Sequence, residues 1–382
     1  MTAASDNLTL RLLREVLSCP SVTPEDKGCQ NLISGFLIDA GFESETICRG
    51  KTDNLYCWYG SAGPLFLFAG HTDVVPPGCG WNTDPFAPTE VDGNLVARGA
   101  QDMKTSDVCF AAAAKQFVKN FPNFKGRIAL LLTSDEEGDG KDGTAFVIEE
   151  LKKKGIQPDF CIVGEPTCSK ELGDTIKNGR RGSCNCRVTI YGEQGHVAYP
   201  LKVENPIHTA SKIISKLAQT QWDQGCEGFP STSFQVSNIT AGTGAVNIVP
   251  GSCSFVFNLR YNPATSGQEI ENKANGIIKE FAENSDISWE HSAFPFKTEG
   301  KELTGCLEKA ISKVQDIKPA LSTTGGTSDA RFISRWCSEV VEFGPVNNLI
   351  HKTNESIPLK DIPKLTEIYY QTLVNLFSVS SK

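Results

Sequence analysis

Five apolar stretches of this 382-residue chain end in histidine or acidic residues. LFLFAG runs into His71 and Asp73, LVARGAQDM reaches Asp102, and IALLLTSDEE reaches the adjacent pair Glu136 and Glu137. FCIVGEP reaches Glu165, and His351 follows FGPVNNLI. Each has an ordinary reading alone. His71 fits a hydrogen-bonded structural histidine, Glu136-Glu137 a solvated loop, Asp102 a helix N-cap, and Glu165 a solvent-facing acid before Pro166. Together they are harder to explain that way. Ligands collect outside the carboxyl ends of strands in open α/β sheets. Carboxylates crowded at one such edge repel one another and drive their pKa values apart. A divalent metal between them removes the repulsion. One histidine and two carboxylates per ion fit a catalytic zinc with an open position, and manganese or cobalt fits nearly as well. With Asp102 shared, two ions would sit about 3.5–4 Å apart. Asp73 lies two residues beyond His71. In an extended stretch both side chains face the same way, so Asp73 is placed to hold the other imidazole N–H.

Such a site needs a rigid frame, and the chain is long enough for two domains. Hydrophobic residues make up 39% and charged residues 21%, with a net charge of -8. No lysine/arginine block suits nucleic acid, and no apolar run approaches the roughly 18 residues of a membrane span. MTAASDNLTLRLLREVL reads as a short tail and an amphipathic helix without a signal-peptide core, which predicts a cytoplasmic protein. The 14 cysteines are scattered without a CxxC, so they read as buried thiols rather than a disulfide framework. No GxxxxGK[ST] or GxGxxG stands at a strand end, which argues against a nucleotide-binding α/β protein.

Strand and helix patterns alternate through about residue 170, as in an α/β sandwich around a mostly parallel sheet. Helices are expected over 7–18 and 29–39, with Gly41 closing the second. NLYCWYG and PLFLFAG read as strands joined by a glycine-containing turn, and DGNLVARG as another strand. The unbroken apolar centre of GRIALLLTSDEE suits a sheet covered on both faces. Near Gly182 the pattern changes. SCNCRVTIYG, PIHTASKIISKLAQTQW, TSFQVSNITAG, GSCSFVFNLRYNP, SGQEIENKANGIIKEFAE and ISWEHSAFP give β-α-β-β-α-β, a ferredoxin-like unit. The prediction is a catalytic α/β domain in two parts, 1–181 and 296–382, with an α+β domain inserted at 182–295.

The segments AGHTDVVPPG, ARGAQDMK, TSDEEGDGKDGT, VGEPT, KNGRRGS, GHVAYP, NIVPG, TTGGTSDARF, GPVN and IHKTNE resemble the M20 family of dinuclear-zinc peptidases and deacylases, from about residue 8 to 378. The resemblance implies a zinc-peptidase-like fold with the inserted domain serving dimerisation, and two Zn²⁺ per subunit, with Co²⁺ or Mn²⁺ able to substitute. By matching position, His71, Asp102 and Glu165 would hold one ion. Asp102, Glu137 and His351 would hold the other. Glu136 would be the general base, and His196 would stabilise the tetrahedral intermediate from the partner subunit of a homodimer. Spacing alone does not separate Glu136 from Glu137.

The resemblance further implies hydrolysis of N-succinyl-LL-2,6-diaminopimelate to succinate and LL-2,6-diaminopimelate. That substrate's three carboxylates call for fixed cationic and hydroxyl groups. Arg180, Ser183, Tyr199, Asn247, Arg260, Thr324, Gly325 and Gly326 are the candidates, the arginines suiting bidentate contacts. The glycines equally fit a plain turn, Asn247 a turn residue, and either arginine a surface ion pair. An N-acetylornithine deacetylase, an aminoacylase or a metallo-carboxypeptidase would share the metal ligands. Two departures from the close relatives stand out. Thr105 occupies a position where they usually keep glycine, and the loop GDGKDGT after Glu137 is unusually acidic and glycine-rich.

Overall fold

The computed structural model describes residues 3–378. The chain forms two compact units. The first holds residues up to Gly179, Thr298–Ser322, and the chain from Ser328 on. The second holds Arg180–Lys297 together with Thr323–Thr327. Arg180, Arg181, residues 296–297 and the short 323–327 segment thus join this unit beyond the expected 182–295; nothing in local pattern ties them to it.

The first unit opens with α1 (Ala3–Leu17), α2 (Cys29–Ile38), β1 (Glu43–Thr46), β2 (Asn54–Tyr59), β3 (Leu65–His71), β4 (Thr89–Val91) and β5 (Asn94–Val96). It continues with α3 (Lys104–Asn120), β6 (Arg127–Thr133), α4 (Thr144–Lys153), β7 (Phe160–Val163) and β8 (Thr175–Lys177). The second takes up the chain at the last residue of β9 (Gly179–Arg180) and contains β10 (Gly182–Tyr191), β11 (Gly195–His196), α5 (Pro206–Gln219), β12 (Ser233–Ala241), β13 (Ile248–Val249), β14 (Ser252–Tyr261), α6 (Gly267–Phe281), β15 (Ser285–Ala293) and β16 (Phe296–Lys297). The chain then returns through α7 (Glu302–Gln315), β17 (Ala320–Ser322), α8 (Ala330–Ile333), β18 (Glu339–Glu342), β19 (Ser356–Pro358) and α9 (Asp361–Leu376).

The large sheet runs β1-β2-β6-β3-β7-β18-β8-β17. Its centre, β6-β3-β7-β18, is parallel. β1, β2 and the β18–β8 junction are antiparallel, so the sheet is mixed. β3 is buried at every residue, as expected for a strand covered on both faces. Phe68 stacks on Phe110 of α3 at 4.4 Å and meets Tyr369 of α9 edge-on. β2 and β3 do not pair as a hairpin. β6 lies between them, parallel to β3 and antiparallel to β2. The two most apolar strands thus take the doubly covered centre, and the turn between β2 and β3 crosses over β6. DG at 92–93, where both residues have positive φ, closes the β4–β5 hairpin, which suits a two-residue primed turn. This hairpin joins β19 in a separate small sheet.

In the second unit the antiparallel order is β12-β14-β10-β15, the ferredoxin-like arrangement. Ile213 and Leu217 of α5 and Ile270 and Ile278 of α6 share its core with Phe255 and Phe257. Asn205 caps α5, and Ser266 with Glu269 forms a capping box on α6. Nine of the 14 cysteines are buried, and all are free. Among the described residues no helix is long and apolar enough to cross a membrane.

Candidate metal centre

Strands β6, β3 and β7 of the large sheet end at one edge, where their last residues hand over to polar side chains. His71 closes β3, Glu136 and Glu137 follow β6, and Glu165 follows β7. His351 comes from the loop after β18 and sits at φ +60°. Asp102 enters differently from expectation. It belongs to the loop between β5 and α3, so the small sheet, not the large one, delivers it. Nor does it cap α3, where Met103 holds the cap position without a side-chain bond.

Asp102 stands between the two histidines. Its Oδ1 is 3.2 Å from His71 Nε2, and its Oδ2 is 3.3 Å from His351 Nε2. His351 Nε2 also lies 2.8 Å from Glu137 Oε1, and His71 Nε2 lies 3.9 Å from Glu165 Oε1. The ligand atoms of His71, Asp102 and Glu165 fall within 4.8 Å of one another, as do those of Asp102, Glu137 and His351. His71, Glu136 and Glu137 form a third such group. The adjacent glutamates nevertheless differ. Glu137 is engaged by His351, whereas among the described residues no side chain bonds the carboxylate of Glu136.

Asp73 acts otherwise than expected. His71 Nδ1 donates to the main-chain carbonyl of Asp73 at 2.9 Å, and the Asp73 carboxylate is 3.6 Å away. That carboxylate instead accepts from the backbone N–H of Glu136 and Glu137, at 3.4 and 3.1 Å. Asp73 therefore orients His71 through its backbone and the DEE turn through its side chain. Either way the Nε2 face of His71 is turned to Asp102, as a metal ligand requires.

The electrostatics fit a cation site. Burial pushes the carboxyls of Glu136 and Glu165 well above the usual range, and neighbouring acids add to the effect. Burial likewise lifts Asp73 to about 6. Burial opposes charge on Asp102 too, yet the hydrogen bonds from His351 and His71 hold it well below its ordinary value. His351 is pushed up to about 10 by its bonds to Asp102 and Glu137. At His71 burial works against the charged ring, but the bond to Asp102 and the surrounding acids raise its pKa well above normal. Two protonated imidazoles thus balance a cluster of acids. Divalent ions supply the same positive charge, and two imidazoles with three carboxylates are a donor set suited to them.

The second unit carries the remaining candidates in three places. Arg180 Nη1 donates to the Thr324 carbonyl at 2.8 Å. Gly325 sits at φ +103°, and a Cβ there would come 2.5 Å from that guanidinium. Gly326 follows in the same segment. Ser183 faces Arg260 across β10–β14, and Asn258 bonds both side chains. Burial and the nearby Arg181 lower the pKa of Arg260. Arg181, overlooked although it lies in NGRRGS, therefore adds positive charge beside Arg260. His196 pairs with Ile248 across β11–β13. Its Nδ1 accepts from Ala198 N at 3.1 Å, which leaves Nε2 as the donor of a neutral ring. Tyr199 packs against it at 5.8 Å, and Asn247 is exposed in the adjoining turn, its carbonyl accepting from Val197 N. Glu355, the last residue of the IHKTNE segment, has no role legible from local sequence, yet it is fully buried.

The model of peptidase family M20/M25/M40 matches residues 67–375. The chain belongs to this family. A succinyl-diaminopimelate desuccinylase of Bordetella petrii is 50% identical over 378 residues, covering 98% of this chain and 99% of that protein. One of Nitrosomonas europaea is 48% identical, covering 97% and 99%. An M20 metallo-carboxypeptidase of Sulfolobus solfataricus shares the fold with a TM-score of 0.81 at 18% identity, covering 97% of this chain and 99% of that one. Family membership and the two overlapping ligand sets make the M20 protein described here a metal-dependent hydrolase.

The titrations give the metal-free protein a definite pH behaviour. Folded Glu136, Glu165, His71 and His351 hold protons that the unfolded chain has released, so their stabilising contribution is complete at low pH and lost as pH rises through the raised values. The zinc-free protein should lose urea resistance as pH rises from about 6.5 towards about 10, the span over which His351 gives up its proton in the unfolded and then the folded chain, and added zinc should flatten that loss. A zinc-free midpoint that rises over the same range would contradict this electrostatic reading.

Proposed function

We propose that the chain removes the succinyl group from N-succinyl-LL-2,6-diaminopimelate, releasing succinate and LL-2,6-diaminopimelate in diaminopimelate and lysine synthesis. Identity of 48–50% to succinyl-diaminopimelate desuccinylases over nearly the whole length of both chains carries the substrate assignment. Two zinc ions per subunit are the proposed cofactor, one held by His71, Asp102 and Glu165, the other by Asp102, Glu137 and His351, with cobalt or manganese able to replace them. When bound, such a pair polarises the amide carbonyl and lowers the pKa of water.

The protein's own groups supply the rest. Glu136 is the proposed base. Its carboxylate is unengaged among the described residues, and its burial-raised pKa favours holding a proton taken from the attacking water until the leaving nitrogen accepts it. Glu137 is tied to His351, which supports a ligand role rather than proton transfer. His196 is proposed to donate from Nε2 to the oxyanion, reaching a partner subunit's site in a homodimer. In support, β12 is an edge strand that exposes Ile239, and Leu201 and Val246 are almost fully exposed in the same unit. Arg180, Ser183, Tyr199, Asn247, Arg260 and the Thr324-Gly325-Gly326 segment are proposed to recognise the substrate carboxylates. A cytoplasmic location accords with 14 free thiols.

The direct test is zinc-reconstituted hydrolysis of N-succinyl-LL-diaminopimelate beside N-acetylornithine. Preference for the succinyl substrate, abolished by chelation, is expected. Preference for the acetyl substrate would overturn the assignment, and sedimentation showing active monomers would remove the trans role of His196. Glu136→Gln should lower kcat by at least about 10²-fold while both zinc ions stay bound. Loss of an ion in that variant would make Glu136 a ligand.

A further inference from the structure

The loop that delivers Asp102 and the loop that delivers His351 are bolted together by one buried carboxylate. Glu355 Oε1 accepts from the backbone N–H of Gln101 at 2.7 Å and of Asp102 itself at 3.1 Å. Its Oε2 accepts from Gly99 N at 3.0 Å and from Arg98 Nη1 at 2.8 Å. Arg98 also donates to the carbonyls of Lys352 and Pro77, and its guanidinium lies over Trp81. Gln101 completes the joint, donating to Asn348 Oδ1 and the Ser356 carbonyl while accepting from Leu349 N. Glu355 and Arg98 are both buried, and the four bonds to Glu355 account for both of its oxygens.

Such an investment of buried charge is costly for stability alone, since an apolar replacement often serves as well. Its geometry has a different consequence. His71 and Glu165 stand at the ends of strands of the large sheet, which fixes them without help from this joint. His351 and Asp102 stand on loops whose mutual position the joint sets. We propose that Glu355, with Arg98 and Gln101, is a positioning clamp that holds the His351 loop against Asp102 and so acts most strongly on the ion site of Asp102, Glu137 and His351, whereas the site that Asp102 shares with His71 and Glu165 loses only the Asp102 contribution. The inference rests on the dinuclear reading above. Glu355 touches neither ion nor substrate in this role. It acts through the Asp102 main chain and the His351 loop.

The test is calorimetric zinc titration of the full-length zinc-free chain, with the visible spectrum of the cobalt-loaded protein as a second readout. Glu355→Gln keeps the shape but puts an amide where Gly99 N–H and Arg98 need an acceptor. It should weaken the ion held by Glu137 and His351 about 10–100-fold and the ion held by His71 and Glu165 clearly less, with the larger change in the cobalt band of the first site. Gln101→Ala removes only the neutral half of the joint, so it remains informative if Glu355→Gln does not fold. It should show the same selective weakening, and Glu355→Asp should recover part of it. Equal weakening of both ions, or unchanged affinities in the folded variants, would overturn the clamp. A wild-type chain that takes up a single ion would instead remove the dinuclear reading, and the clamp with it.

Discussion

Five acids and two imidazoles packed at one sheet edge must find positive charge, and most of what surrounds them follows from that need. Glu136 and Glu165 are pushed far from their ordinary titration by burial, while Asp102 stays charged only because it lies between His71 and His351. Such a cluster is unfavourable as a purely structural feature. It becomes reasonable as a cation site that is ready before the cation arrives. The Asp102 carboxylate is central because each of its oxygens meets a different histidine, so a change at this residue reaches both ligand sets.

The frame serves that edge. Parallel strands β6, β3 and β7 place their carboxyl ends side by side, and doubly covered apolar strands keep them from shifting. Small residues make the close approach possible. A Cβ on Gly70 would come within 2.1 Å of the buried carboxyl of Asp107, and one on Gly164 would meet Phe68 and Met103. Thr105, a departure at sequence level, is accommodated because its hydroxyl donates to the Ala100 carbonyl at 2.7 Å, bracing the loop that leads to Asp102.

Much of this was legible in the sequence because it is local. Apolar runs ending in His71, Glu136 and Glu165 announce strands with polar tips, and the β-α-β-β-α-β pattern announces the second unit. What escaped was non-local. No periodicity shows that β6 inserts between β2 and β3, or that the 323–327 segment belongs with Arg180. Spacing does not separate Glu136 from Glu137, which only the family resemblance assigns to different roles, because the distinction depends on which of them His351 reaches. Spacing points the Asp73 side chain at His71, but its backbone carbonyl takes that N–H and its carboxylate serves another turn. Glu355 was hidden because its partners are backbone N–H groups more than 250 residues away.

The central claim is that Asp102 is shared between two ions. Anomalous scattering from crystals of the zinc-loaded protein, measured on both sides of the zinc edge, addresses it directly. The account predicts two peaks about 3.5–4 Å apart, with the Asp102 carboxylate between them, Glu165 and His71 on one side, and Glu137 and His351 on the other. A single peak, or two peaks with Glu136 coordinated in place of Glu137, would contradict it.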